Sequence, residues 1–424
     1  MQYMNSSIMH NILHKPSSKR FFIKLCYLLA PLLLYLAPQD TFATNLVGGD
    51  LSVQKVDSLK YEVTLNYYFD CDGNRGAFST NQTVNYNSSN CNLSGSISLD
   101  TISNTGKDIA PICPSNNSSC NGGTTKGIEK YVFRDTVTLS QACTDWVFSW
   151  SDNARNWAIT TIRSPGSQSL YLEAEVNNDS FPDNNIPYFT NDPVAFICNN
   201  QDFVYNHGAV DPDGDSLVYS LYTPKTSSSQ TVNYNGGYSA QQPLKSSPPV
   251  SIDSNTGDIT MHPTQTDITV LGVKVEEYDT SGVLKSTILR DIQVIVKGNC
   301  TSPNAPNIGG FDTTNASFDT SNVDFDTTVC PGQKVELYMN AHDSDVNDTL
   351  YMSWNKTISG ANFTVLNDST NSPTGKFTWT PPNPKAGNGI QRNTFTVSVR
   401  DNNCPYFTTI SRGYEINVVP SKTV

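Results

Sequence analysis

The chain is short of the groups that most enzymes and nucleic-acid binders need. It has five histidines in 424 residues, and no G-x-S-x-G, H-E-x-x-H or glycine-rich phosphate loop. The usual nucleophile, zinc and nucleotide signatures are therefore missing. No two of its cysteines form a C-x-x-C, which argues against a zinc cluster. Basic residues are outnumbered, 27 Lys and Arg against 39 Asp and Glu. A surface of that sign repels nucleic acid and anionic lipid. Outside the N-terminal leader no segment keeps a helical period for three turns, and no later apolar run approaches the roughly 20 residues that span a bilayer.

The leader itself is informative. Lys15, Lys19, Arg20 and Lys24 precede an apolar stretch from Leu25 to Ala37, and Thr41-Phe42-Ala43 places small residues at −3 and −1. These are the three regions of a signal peptide, so residues 1–43 are read as a cleaved secretory signal. They hold four Lys/Arg and one Asp; the remainder has 23 basic and 38 acidic residues, a net charge of −15. It is rich in Asn, Ser, Thr, Gly and Tyr, a strand-and-turn composition. Export also makes disulfides the default for its cysteines. Nine remain once Cys26 is removed, so one is left unpaired within the chain.

Strands are visible as period-two alternation. Tyr61, Val63, Leu65, Tyr67 and Phe69 alternate with polar neighbours, as do Phe377 and Trp379, and Phe395, Val397 and Val399. Ile292, Val294 and Val296 follow the same rule. One face then meets a core and the other water, the pattern of antiparallel sandwiches.

An internal repeat sets the boundaries. Phe196-Ile-Cys198 matches Thr328-Val-Cys330, and Asp211-Pro-Asp-Gly-Asp-Ser-Leu217 matches Asp343-Ser-Asp-Val-Asn-Asp-Thr-Leu350. Val270 to Tyr278 matches Phe395 to Asn402, and Arg290 to Val296 matches Arg412 to Val418. The expected architecture is all-β, with tandem β-sandwich modules at 191–300 and 329–424 after an N-terminal β-rich domain at 45–190. The 301–328 linker echoes itself every seven residues at Phe311-Asp-Thr, Phe318-Asp-Thr and Phe325-Asp-Thr. It reads as a spacer, with an extra edge strand as the alternative.

The combination of motifs resembles a group of Bacteroidetes-type secreted surface proteins built from cadherin-like or PKD-like immunoglobulin-type modules and associated with gliding motility. The matching stretches include Tyr61 to Gly73, Cys143-Thr-Asp-Trp146, Gly208 to Ser220 and Arg290 to Val296. The resemblance implies that the two sandwich modules are of immunoglobulin-like/cadherin-like type. It also implies an adhesive or spacing role outside the outer membrane of a Gram-negative cell, and an extracellular protein or glycan as partner. Relatives carry a Cys-Cys pair where this chain has Asn153-Ala154, which implies that Cys143 is left over. Such proteins often carry a further sorting sandwich; this sequence stops at Val424, just after the expected last strand, so attachment by that route is not expected unless the protein continues beyond it. Among the other cysteines the expected pairs are Cys330–Cys404, Cys198–Cys300, Cys71–Cys91 and Cys113–Cys120, with Cys300–Cys330 open as an alternative.

The acidic loops carry the candidate chemistry. Asp211, Asp213 and Asp215 lie within five residues, and Asp343, Asp345 and Asp348 repeat the cluster. Carboxylates about 5 Å apart repel by ~0.8 kcal/mol in water and ~3 kcal/mol at a shielded site. Recurrence of such a cluster points to a hard cation bound by oxygen, hence calcium. The EF-hand template does not apply, since Gly214 stands at position four and Tyr222 at position twelve; a plain Asp/Gly turn is the competing reading. Asp70-Cys-Asp-Gly-Asn74 is a weaker calcium candidate. Glu173/Glu175 and Glu276/Glu277 can be offered as a glycosidase acid and base, but both pairs read first as strand residues. Trp146, Trp150, Trp157, Trp354 and Trp379 are either a sugar platform or core, and Trp146 with Trp150 reads as core. The expected function is non-catalytic adhesion or spacing, with carbohydrate binding as the alternative.

Overall fold

A computed structural model describes residues 46–72, 79–193, 196–298, 300, 304–314, 318–319, 321–384 and 389–420. The leader, Gly73-Asn74 of the weaker acidic loop and the chain end lie outside the described residues. Among those described, no helix is long and apolar enough to cross a membrane.

The first eight strands are β1 (Leu46–Asp57), β2 (Lys60–Asp70), β3 (Asn81–Ser88), β4 (Leu93–Thr101), β5 (Lys107–Asp108), β6 (Ile128–Thr138), β7 (Trp146–Asp152) and β8 (Leu170–Val176). Alternation in β2 buries Tyr61, Val63, Leu65, Tyr67 and Phe69, as the sequence predicts. Tyr67 meets Trp150 and Phe133 edge-on, with ring centroids 5.7 and 6.3 Å apart. Pairing runs β1-β2-β6-β4-β3-β7-β8, all antiparallel.

The second part contains β9 (Tyr188–Phe189), β10 (Phe196–Cys198), β11 (Phe203–Asn206), β12 (Ala209–Val210), β13 (Ser216–Tyr222), β14 (Ser251–Ile252), β15 (Asp258–Met261), β16 (Ile268–Tyr278) and β17 (Leu284–Lys297). The third contains β18 (Asn307–Asp312), β19 (Asp326–Val329), β20 (Val335–His342), β21 (Tyr351–Trp354), β22 (Asn362–Leu366), β23 (Thr374–Trp379), β24 (Gln391–Arg400) and β25 (Thr409–Val418). These two parts are copies of one sandwich. One sheet is β10-β17-β16-β13 in the first copy and β19-β25-β24-β21 in the second. The other is β11-β15-β14 in the first and β20-β23-β22 in the second, extended there by β18. In both, the entry strand, which ends at or just before a cysteine (Cys198, Cys330), lies parallel to the last strand.

Two expectations need correction. The N-terminal sheet does not stop at residue 190. β17 pairs with β8 at Ser286–Ile288 and with β1 at Arg290–Ile292, so with β1, β2, β6, β4, β3, β7 and β8 it completes an eight-strand antiparallel ring, β5 lying off it against β6. At its C-terminal end the same edge takes up β10. For this reason β17 is buried continuously from Ser286 to Val296, where the alternation of Ile292, Val294 and Val296 predicts one wet face. The linker is not a plain spacer either: β18 adds to β20, and Phe311 and Phe325 both pack on Tyr414, at 5.0 and 5.7 Å.

The cysteines also pair differently from expectation. The bridges are Cys71–Cys120, Cys91–Cys143, Cys113–Cys404 and Cys198–Cys300, and Cys330 is free and exposed. Of the expected pairs, Cys198–Cys300 forms, and Cys71–Cys91, Cys113–Cys120 and Cys330–Cys404 do not. Cys143 lies buried three residues ahead of β7, bridged to Cys91 in the turn between β3 and β4. The physical reason for the longest error is that the third module packs against the other two. The Cys404 loop meets the Cys113 loop, where the Cys113 amide donates to the Pro405 carbonyl and Phe407 to Pro111. Elsewhere at the junction the Gly413 amide donates to buried Asp258 at 2.8 Å, and Asn191 donates to Thr396 and Ser411. Four disulfides in one chain mark a protein that folds in an oxidising, extracellular compartment.

Candidate functional site

The two acidic loops occupy equivalent places in the repeat, and they share the bond from the second aspartate's amide to the first aspartate's carboxylate. Asp211 Oδ1 accepts from the amides of Asp213 and Asp215, both at 2.9 Å. Asp343 Oδ1 accepts from the Asp345 amide at 2.9 Å. Gly214 has φ 81°, a conformation that favours glycine, so the first loop is also a well-formed turn. An asparagine ahead of each module braces the second aspartate. Asn185 donates to Asp213 through its backbone at 2.7 Å and through its side chain. Asn304 treats Asp345 likewise, at 3.1 and 2.8 Å.

Strand pairing brings in a fourth carboxylate that sequence spacing alone does not reveal. Leu217 stands opposite Glu277; in the second copy Tyr351 stands opposite Arg400, which puts Leu350 beside Asp401. Glu277 and Asp401 are thus equivalent, and both are fully buried. The signal was present in the repeat, because Val270 to Tyr278 aligns with Phe395 to Asn402, and Asn185-x-Pro187 aligns with Asn304-x-Pro306.

The two copies differ in what balances the charge. In the first, carboxylate oxygens of Asp211, Asp215 and Glu277 lie within 4.8 Å of one another. The Lys285 ammonium pairs with two of them, bonded to Asp215 and 3.3 Å from Glu277. Burial lowers the lysine's pKa, but Asp215 and Glu277 outweigh that and raise it, so Lys285 stays charged. Burial and the neighbouring Asp211 hold Glu277 well above the usual carboxylate range, and burial does the same for Asp211. The ammonium thus already pairs with two of the carboxylates that a calcium ion would use, while Asp211 Oδ2 and Glu277 Oε1 have no hydrogen-bond donor. Asp213, expected among those ligands, is turned to Asn185.

In the second copy, oxygens of Asp343, Asp345 and Asp348 gather within the same 4.8 Å. Burial, then Asp348, Asp345 and Asp401, push the Asp343 carboxyl up to about 6. Asp343 is 1% exposed and Asp401 0%, and one oxygen of each, Oδ2, has no hydrogen-bond donor. An all-oxygen donor set with orphaned buried oxygens fits a hard divalent cation. Phe407 holds the chain position that corresponds to Lys285. The nearby Arg400 guanidinium lies over the rings of Tyr351 and Phe407, at 4.5 and 4.3 Å.

The other candidates lie as follows. Lys126 pairs with Asp70 and Asp72 in the weaker acidic loop, and the neighbouring Cys71 and Cys120 sulfurs are bonded to each other. Glu173 pairs with Lys225, and Glu276 with Lys274. His207 is buried against Arg290, while His342 contacts Ser372. Trp146, Trp150 and Trp379 are core, Trp354 stacks on Phe363, and Trp157 is 49% exposed. Beside the first acidic loop a cleft of about 950 Å³ opens where all three parts meet, lined by Phe181, Asp213, Tyr278, Lys285, Ile390 and Arg392 among others.

No family model matches the sequence, and no curated protein matches it. Solved structures with similarity include fibronectin(III)-like modules of Clostridium thermocellum CbhA (11% identity, 55% of this chain and 94% of that one, TM-score 0.16). A second is the sialic acid-binding region of a Streptococcus sanguinis adhesin (10%, 56% and 78%, TM-score 0.17). A third is a SusE-like surface polysaccharide-binding protein of Bacteroides thetaiotaomicron (9%, 89% and 55%, TM-score 0.17). The sandwich architecture of this chain rests on its own strand pairing.

Proposed function

We propose that the chain is a non-catalytic surface protein for adhesion or structural spacing, displayed outside the outer membrane of a Gram-negative cell as in the Bacteroidetes-type group. An extracellular protein or glycan is its partner, and calcium stiffens its C-terminal module. The observation that carries this reading is mechanical. β17 belongs to both the ring and the second sandwich, and Cys113–Cys404 fastens the ring to the third part across a sequence separation of 291. A load applied at the two chain ends passes through that bridge, so the intervening residues are not stretched. Force spectroscopy of the full mature chain tests this. Extension should be short under oxidising conditions and lengthen several-fold after reduction, and beads coated with the chain should attach to cells or matrix. Equal extension in both states, with no attachment, would sink the proposal.

The cleft at the three-part junction supports a second reading, carbohydrate binding. Phe181 and Tyr278 offer ring faces, while Asp213 and Arg392 offer hydrogen-bonding groups. Glycan-array binding that is lost in Tyr278→Ala and Arg392→Ala would favour it; binding untouched by both would place the ligand elsewhere.

A further inference from the structure

The repeat supplies its own comparison for the acidic sites. The same four carboxylate positions and the same bracing asparagine occur twice, and in one copy a cation already pairs with two of the four, Asp215 and Glu277. That cation is the Lys285 ammonium, whose side chain is only 10% exposed and lies over the Phe181 ring at 5.5 Å. In the other copy oxygens of Asp343, Asp345 and Asp348 converge, and the buried Oδ2 atoms of Asp343 and Asp401 have no hydrogen-bond donor. Asp211 Oδ2 and Glu277 Oε1 of the first copy lack one too, so the copies differ in the lysine that pairs with Asp215 and Glu277 and not in the orphaned oxygens.

We infer that the two sites have diverged in the cation they hold. Lys285 is a covalently tethered replacement for a divalent cation in the second module, and only the Asp343–Asp345–Asp348–Asp401 set takes the metal. This rests on the calcium reading given above and goes beyond it, because it assigns one site per chain and names the residue that closes the other.

The division follows from charge and position. A divalent ion needs oxygen ligands at roughly 2.3–2.6 Å. At the first site it would share Asp215 and Glu277 with an ammonium that cannot leave, because its stem is packed and its strand is the one that closes the ring. A tethered cation has no concentration dependence, which suits the module whose last strand is structural for the N-terminal ring as well. The metal-binding copy instead borders the Cys404 loop. Asn403 donates to Asp348 at 2.7 Å and its amide to Asp401 at 3.1 Å, while Asn402 accepts from the Thr349 amide. A cation there draws together the loop that carries the clasp to Cys113.

The test is calcium stoichiometry on the full mature chain, by equilibrium dialysis and calorimetry with calcium alone at millimolar concentration. Wild type should bind one ion. Asp343→Asn/Asp345→Asn should bind none, and Asp211→Asn/Asp215→Asn should still bind one. Lys285→Met, which keeps an unbranched stem and removes the charge, should bind two. Lys285→Gln serves as a second variant, and near-ultraviolet circular dichroism confirms that each is folded. One ion in wild type and in both Lys285 variants would overturn this inference and leave the calcium reading intact. No ion in any protein would overturn both. Two ions in wild type, or loss of the single ion in Asp211→Asn/Asp215→Asn, would show that Lys285 does not close its site.

Discussion

Arg290 and Asp50 face each other directly across the β1–β17 seam, 240 residues apart in the chain, and are joined by Nε and Nη2 to Oδ2 at 3.0 and 2.8 Å. Both side chains are at most 2% exposed. The guanidinium also donates to the Asn191 carbonyl and lies 4.3 Å from the Phe189 ring. The next residue, Asp291, points to the other face and receives Arg155 at 3.0 and 2.6 Å. The strand that closes the ring is therefore held by buried ion pairs on both sides.

Removing one partner of such a pair leaves an uncompensated charge, which costs about 3–5 kcal/mol, whereas replacing both with apolar groups costs far less. Asp50→Ala should therefore lower stability by about that amount, and Asp50→Leu/Arg290→Met should recover most of it. Equilibrium urea unfolding reads the difference. A loss under about 1 kcal/mol in Asp50→Ala would mean that the seam does not depend on the pair.

Gly48 lies on the same seam, opposite Ile292. A Cβ added there would fall 2.2 Å from the Asp291 carbonyl oxygen and 2.7 Å from the Ile292 Cα, both backbone atoms. The strands would have to part, so Gly48→Ala should destabilise the chain by about 1–3 kcal/mol. Gly122→Ala is a matched control for close approach, since no atom lies within 4 Å of its added Cβ. Its φ of 77° gives it a backbone cost of its own, of order 1 kcal/mol. Amide exchange should show the extra loss at Gly48→Ala concentrated in β1 and in residues 290–292.

Much of this fold is legible in the sequence, because period-two alternation and the repeat are local signals. Tyr61 to Phe69, Phe377 with Trp379, and Phe395 to Val399 fall in strands as read. The matched Phe196-Ile-Cys198 and Thr328-Val-Cys330 place the two parallel entry strands. What fails is long-range. Nothing in Ile292, Val294 and Val296 tells that the opposite face of β17 is also covered, since an apolar alternation looks the same with one neighbour or two. Phe311, Phe318 and Phe325 read as low complexity because their repeat is so regular, yet two pack on Tyr414 and the third on His342. Of the site, the clustered aspartates are visible; Glu277, Asp401 and Lys285 are not, because strand pairing brings them in from over fifty residues away.

The disulfide framework gives a direct chemical test. Peptide mapping without reduction should yield Cys71–Cys120, Cys91–Cys143, Cys113–Cys404 and Cys198–Cys300, and an alkylating reagent should modify Cys330 alone in the folded chain. Removing the inter-module clasp with Cys113→Ser/Cys404→Ser should cost about 2–4 kcal/mol. A recovered Cys330–Cys404 peptide would separate the third module from the ring and undo the packing described here.

The most informative pH dependence is that of Asp343. Its folded pKa of about 6 lies above the roughly 3.9 of an unfolded aspartate. Between those values the folded state holds the extra proton, so stability falls as pH rises through the window, and the penalty is fully present above about pH 6. It amounts to at most about 3 kcal/mol. A divalent cation offsets the same burial cost and carboxylate repulsion that the proton relieves. With a Kd near 10⁻⁴ M, millimolar calcium should add about 1.4 kcal/mol at pH 7.5, and the gain should vanish near pH 5, where protons take over. Asp211, Glu277 and Asp401 also have raised pKa values, so the comparison must be made against a variant that changes one of these groups. Asp343→Asn should be more stable than wild type at pH 7.5 in chelator, should lose part of the slope between pH 4 and 6, and should gain nothing from calcium. Thermal unfolding of both proteins from pH 4 to 8, with calcium and with chelator, decides the matter. Parallel curves for wild type and variant under all conditions would show that Asp343 neither titrates in that window nor holds the metal.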